Sequence, residues 1–194
     1  MIYNIQDKKS VELASDMILN GEIIVYPTDT LYGLGVDATN SDAISSLNKL
    51  KNREQKYSIV LRSINEIHKY AYILESHKKY IQNIFPGPYT GIFKKRDSNL
   101  SPLVDLNSNT IGIRVPKSKF ILDVVQYSKK PIITTSVNIH GKESIQNIKD
   151  IESLFSDLPI FSKYSRTNSN GSTIINFISK NPKILRQGDG EFII

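Results

Sequence analysis

The apolar run Ile23-Ile24-Val25-Tyr26 stops at Pro27 and opens into Thr28-Asp29-Thr30-Leu31-Tyr32-Gly33-Leu34-Gly35. β-Branched residues in series predict a buried strand, and proline, with its fixed φ and missing N–H, ends the ladder. Two hydroxyls and a carboxylate then stand at the strand's carboxyl end, where open α/β sheets hold their ligands. Gly33 and Gly35 allow tight turning and close backbone approach. An Asx or Ser/Thr turn closing the strand would use the same residues.

Apolar periodicity extends this beginning into an α/β pattern. Ser10 is placed to cap a helix carrying Val11, Ala14, Met17 and Ile18, and Ser41 one carrying Ile44, Leu47 and Leu50. Ile64, Ile67, Ala71 and Leu74 predict a third helix, Ile81 to Phe85 a fourth, and Phe120 to Val125, capped by Ser118, a fifth. A further helix is expected over 148–155. Strands are predicted at 23–26, 58–62, 89–95, 111–115, 132–134, 173–177 and 183–186. The polar stretches 96–109 and 162–172 read as loops, the first of them mobile. Some connections are short enough for antiparallel pairing, so the sheet should be twisted and mixed.

The chain has 194 residues, 39% apolar and 23% charged, and shows no repeat or linker, which predicts one domain over 1–194. No cysteine is present, so disulfides, thiolate nucleophiles and cysteine-based zinc sites are excluded. No apolar run is long enough to span a membrane, and the N-terminus lacks a signal-peptide core, so a cytoplasmic protein is expected. A net charge of +6 favours nucleotides, pyrophosphate or RNA as partners, unless the lysines only solvate the surface.

The common nucleotide motifs are missing. Gly141-Lys142-Glu143 lacks the rest of a P-loop. Gly33 to Ala38 imitates a dinucleotide fingerprint, but no immediate strand-turn-helix surrounds it. His68, His77 and His140 lie on separate elements, and no metal site is predicted. Single cations and hydroxyls must therefore carry any nucleotide. Arg114 interrupts the apolar strand Ile111-Gly112-Ile113-Arg114-Val115, where a charge needs a buried carboxylate or a ligand cleft. Thr135-Ser136-Val137-Asn138 again sets hydroxyls at a strand end, to close a turn or to donate to phosphate and ribose.

Several collinear motifs together resemble the YrdC/Sua5 family of threonylcarbamoyl-adenylate synthases. The Pro27 to Gly35 stretch is followed by Lys51-Asn52-Arg53, similar to the family's Lys-x-Arg. Phe85-Pro86-Gly87-Pro88-Tyr89-Thr90, Thr110 to Pro116, Ser136-Val137-Asn138, Gly171 to Ile175 and Ile184 to Gly188 resemble later blocks, so the likeness runs from about residue 10 to 190. It implies a twisted mixed sheet with a concave basic face that holds the substrates. The implied reaction joins L-threonine, bicarbonate or CO₂, and ATP with Mg²⁺, giving threonylcarbamoyl-adenylate and pyrophosphate. A separate transferase would then pass the group to an adenosine of tRNA.

Carried over, the resemblance assigns threonine binding to Thr30, Arg62, Arg114, Thr134 and Ser172, and ATP binding to Arg53, Tyr57, Thr110, Ser136, Ser144 and Arg186. Lys51, Arg53 and Arg114 would serve catalysis by charge, with Asn138 supporting the Ser136 turn. The chain departs from the pattern at Glu54, Tyr57, Arg62 and Asn176, where the family usually has Pro, Asn, His and Asp, and at Arg166 to Gly171, which replace a glycine-rich turn. Its end soon after the Arg186 block implies the short, single-domain form. The alternative is a non-catalytic RNA-binding module using the same basic face.

Overall fold

The computed structural model describes residues 1–138, 143–162 and 168–193. The strands are β1 (Ile2–Asn4), β2 (Ile24–Tyr26), β3 (Gly33–Gly35), β4 (Ser58–Val60), β5 (Ala71–Tyr72) and β6 (Tyr89–Lys95). They continue as β7 (Thr110–Arg114), β8 (Ile132–Ser136), β9 (Ile160–Ser162), β10 (Thr173–Asn176) and β11 (Lys183–Arg186). The helices are α1 (Ser10–Leu19), α2 (Ser41–Lys51), α3 (Lys78–Ile84), α4 (Lys119–Ser128) and α5 (Ile148–Leu154). One sheet runs in the order β1-β9-β2-β3-β8-β4-β7-β6-β10-β11, with β5 branching from β6. Parallel pairs (β2 with β9, β4 with β7, β6 with β10) occur in it beside antiparallel ones, so the sheet is mixed as expected.

Strand alternation divides the core. Val25, Leu34, Ile59, Ile113 and Ile133 face one side, packed with Ile44 and Leu47 of α2, Ile81 and Ile84 of α3 and Ile151 of α5. On the other side Ile24, Tyr26, Val60 and Ile132 meet Ala14 and Ile18 of α1 and Phe120, Ile121 and Val124 of α4. Here the helices cover only part of the sheet. Along β8 the sequence changes from Ile132, buried under helices, to Thr134 and Ser136, which line an open cleft. In β4, Val60 and Ser58 show the same change. The cleft is the uncovered portion of one sheet face.

Several local expectations are corrected. Gly33 and Gly35 form β3 in extended conformation rather than a turn; a Cβ on Gly35 would stand 2.6 Å from Tyr26 Cε1, so close approach is what glycine supplies. Asn40, not Ser41, caps α2, its Oδ1 accepting from the Asp42 and Ala43 amides at 3.0 and 3.1 Å. Lys9 precedes α1, and the Ser10 hydroxyl instead donates to Asn4 O at 2.7 Å. The third helix shortens to a 3₁₀ turn over Ile64–Lys69, because Ala71 and Tyr72 pair with Lys95 and Lys94 of β6. Residues 96–109 include buried Leu100, Ser101, Val104 and Asp105, and Val104 O accepts from Tyr57 N at 2.8 Å. His140, Gly141, Lys142, Arg166 and Thr167, singled out in the sequence, lie outside the described residues.

Candidate active site

The cleft has a volume of about 560 Å³. Its floor is the hydroxyl- and glycine-bearing ends of β4, β7 and β8 (Ser58, Thr110, Gly112, Thr134, Ser136), with Thr90 and Ile92 of β6 beside them. Its walls are the 30–33 loop, the segment after α2, and the 170–172 and 185–186 segments.

Arg114 sits at the centre, only 8% exposed. Its Nη2 donates to Asp29 Oδ1 at 2.9 Å and to Thr30 Oγ1 at 3.1 Å. The other Asp29 oxygen accepts from Lys117 N at 2.7 Å. Both readings of this buried charge therefore hold together: it has a carboxylate partner and it lines the cleft. A local hydroxyl turn shapes the loop, with Thr28 Oγ1 accepting from Thr30 N at 3.0 Å and donating to Leu31 O at 2.6 Å.

On the opposite wall, Arg186 Nη2 donates to Ser172 O at 2.7 Å, and Ser172 Oγ lies 2.8 Å from Thr90 Oγ1. Burial, aided by the charge of Arg114, lowers the pKa of Arg186. Gly171 beside it has φ +79°, a left-handed conformation that favours glycine. Arg53 follows Asn52, which closes α2 at φ 51°; Arg53 lines the cleft, and its Nε is buried without a hydrogen bond. Thr110 and Ser144 also line the cleft. Tyr57 lines the cleft, and its hydroxyl donates to Asn48 Oδ1 at 2.7 Å.

Two assigned residues stand elsewhere. Lys51 is buried one layer behind the lining, where Nζ donates to Ser136 O at 2.9 Å, to Asn138 O at 3.2 Å and to Asn138 Oδ1. Burial, with the nearby charge of Arg53, pulls its pKa down to about 8. This ammonium grips the Ser136–Asn138 turn and leaves Arg53 to face the cleft. Arg62 is not brought to the cleft at all. β4 ends at Val60, Leu61 N donates to Arg114 O, and Arg62 N donates to Glu66 Oε2 at 3.1 Å, so the chain turns away. Arg62 is exposed in a second depression with Lys69, Lys129 and Lys130.

Sequence reasoning passed over Gln55, Lys56, Ser58, Asp105, Asn170 and Leu185, which also line the cleft. Ser58 was legible by alternation, two residues before Val60 on the same sheet face. Asp105 was not: it arrives from the long 96–109 stretch, buried and paired with Lys95 Nζ at 2.7 Å. Among the described residues, no group of three or more His, Asp or Glu is placed to hold a metal, and no helix is long and apolar enough to cross a membrane.

The chain has known relatives. The Sua5/YciO/YrdC family model, described as telomere recombination, matches residues 16–188. The chain belongs to this family. A Methanocaldococcus jannaschii protein provisionally named threonylcarbamoyl-AMP synthase is 40% identical over 148 residues, covering 75% of this chain and 68% of its own. The Mus musculus threonylcarbamoyl-AMP synthase is 28% identical over 164 residues, covering 80% of this chain and 58% of its own. In fold, Pyrococcus abyssi Sua5 complexed with L-threonine matches with a TM-score of 0.87 at 24% identity, over 97% of this chain and 57% of Sua5. Escherichia coli YciO matches with a TM-score of 0.89 at 21% identity, over 98% of this chain and 97% of YciO. The chain thus spans a little over half the length of Sua5 and of the mouse enzyme. At these identities the structural likenesses establish the twisted mixed sheet with its helices.

Proposed function

We propose that this protein makes threonylcarbamoyl-AMP and pyrophosphate from L-threonine, bicarbonate or CO₂, and ATP, for threonylcarbamoyl-adenosine formation in tRNA. The observation that carries the reading is Arg114, held by Asp29 and Thr30 at the centre of a hydroxyl-lined cleft with Arg186 and Arg53 on its walls. Relatives named for this activity support it. The substrates bring a carboxylate, a carbamate and a triphosphate together, and several forked guanidinium groups suit that demand.

In this reading Arg114 holds the threonine carboxylate between Thr30, Thr134 and Ser172, while Arg53, Arg186, Ser136, Thr110 and Ser144 hold ATP. Tyr57 serves by its ring. Arg62 is released from the threonine role, because it lies outside the cleft. The threonine amine takes up CO₂ as a carbamate with loss of a proton. The carbamate oxygen then attacks the α-phosphorus, the bond to the bridging oxygen breaks, and pyrophosphate leaves. Mg²⁺ enters as part of the ATP substrate and offsets phosphate charge. The work of the protein is positioning and electrostatic stabilisation. A basic concave face belongs to the same proposal, as does transfer of the product to a separate tRNA-modifying transferase.

One incubation tests this. ATP, Mg²⁺ and bicarbonate are supplied with each amino acid in turn, and pyrophosphate is measured. Threonine should give the highest rate. Pyrophosphate release that ignores the amino acid would refute the proposal.

A second reading keeps the cleft but changes the amine substrate. It is favoured by Arg62, one of the residues assigned to threonine, lying outside the cleft. It predicts a different amino acid at the top of the same assay.

A further inference from the structure

Tyr26, the last residue of β2, is completely buried, and its ring packs in the core beneath α1 and α4. A phenylalanine would supply that packing without bringing a hydroxyl into the interior. The hydroxyl makes no well-formed hydrogen bond, although buried polar groups as a rule have partners. Its polar neighbours are Thr134 and, at longer range, Arg114, and both line the cleft.

The backbone above the ring is glycine for a geometric reason. A Cβ on Gly33 would lie 3.2 Å from the Tyr26 hydroxyl and 3.3 Å from Thr134 Oγ1, so the two oxygens flank one point on the cleft floor. Gly33 itself lines the cleft. Burial pushes the phenol up to about 12, so it remains a neutral O–H donor at working pH. Thr134 is β-branched and stiff at χ1, and its backbone belongs to the pairing of β8 with β4. What stays free is the rotation of its hydroxyl hydrogen.

We infer that the Tyr26 hydroxyl is a positioning group for the amino-acid end of the cleft, acting through Thr134. Turned toward Thr134 Oγ1, its polar neighbour, the Tyr26 hydroxyl would bond there and direct the Thr134 proton outward, toward an acceptor on the bound amino acid. Arg114, whose charge favours oxygen lone pairs turned toward it, supports the same orientation. Phenylalanine at this place would leave the Thr134 hydroxyl free to rotate, and the cleft would have to fix it at each binding event. The inference rests on the threonine reading above and adds a residue that never touches the substrate.

The test is Tyr26→Phe, assayed by threonine- and ATP-dependent pyrophosphate release together with thermal unfolding. The expected result is a fall of about 3- to 10-fold in kcat/KM for threonine, the effect of one neutral hydrogen bond. It should appear mostly in the threonine KM, with the ATP KM unchanged and the unfolding midpoint equal or higher. Thr134→Val should lose at least as much, and Tyr26→Phe/Thr134→Val should be no worse than Thr134→Val alone, because the two act as one unit. An unchanged threonine kcat/KM in Tyr26→Phe, fully additive losses, or a collapse of folding would each overturn the inference while leaving the function standing. A wild-type protein without any threonine response would overturn both.

Discussion

Replacing Arg114 by lysine separates geometry from charge at the centre of the site. Arg114 makes two bonds through one nitrogen, to Asp29 at 2.9 Å and Thr30 at 3.1 Å, and its Nε is buried without a bond. Arg114→Lys keeps a cation beside Asp29, so the fold should survive with a loss of about 1 to 2 kcal/mol. It cannot reproduce the planar fork. Losing one charge-assisted bond to the substrate carboxylate is worth about 1.5–3 kcal/mol, or roughly 10- to 150-fold in kcat/KM. Arg114→Ala is a different experiment. It leaves the Asp29 carboxylate with its cation removed, which costs about 3–5 kcal/mol when a buried pair is broken. At roughly 2–4 °C per kcal/mol for a chain of this size, that is a drop of about 6 to 20 °C in Tm. Steady-state pyrophosphate release and a thermal melt of both variants decide the matter. Full turnover in Arg114→Lys would mean that the fork does nothing that a point charge cannot, and that Arg114 does not hold the carboxylate by its shape.

Lys51→Met should loosen the Ser136–Asn138 turn and abolish a pH dependence. The Lys51 pKa is depressed from 10.5 to about 8, so between these values the unfolded chain binds more protons and stability rises with pH. The shift is worth about 3 kcal/mol before solvent screening and nearer 1 to 2 kcal/mol after it. Above pH 10 the slope reverses, because Tyr26, pushed up to about 12, keeps a proton that the unfolded chain releases. Denaturant unfolding from pH 7 to 10 should show the rise in wild type and not in the variant. Gly33→Ala places a Cβ 3.1 Å from the Tyr26 ring and should cost about 1–2 kcal/mol with a raised threonine KM; kinetics equal to wild type would mean that the floor yields freely. Arg62→Ala should change kcat/KM for threonine less than twofold, and a loss above about tenfold would return this residue to the site.

Much of the fold could be read from periodicity, since 89–95 and 183–186 match their strands residue for residue. What escaped was short and context-dependent. β1 and β9 are three-residue strands whose pairing joins residues 2–4 to residues 160–162, and no local pattern shows that. β3 was hidden because glycine reads as a turn, whereas Gly35 is required here by the ring of Tyr26. In the site, Arg114 was legible because a charge inside an apolar strand needs a reason. Arg62 was misplaced because position along a strand does not reveal where pairing stops, and β4 stops at Val60. Lys51 was expected to add charge beside the phosphates, and only the packing reveals that it holds the turn from behind.

The identity of the nucleotide product decides whether the protein makes threonylcarbamoyl-AMP. Protein, ATP, Mg²⁺, L-threonine and ¹³C-bicarbonate are incubated together and the adenylates are analysed by mass spectrometry. Threonylcarbamoyl-AMP carrying the label should form in step with pyrophosphate and be missing when threonine or bicarbonate is left out. Unlabelled threonyl-AMP, or AMP and pyrophosphate formed without threonine, would contradict the proposed function.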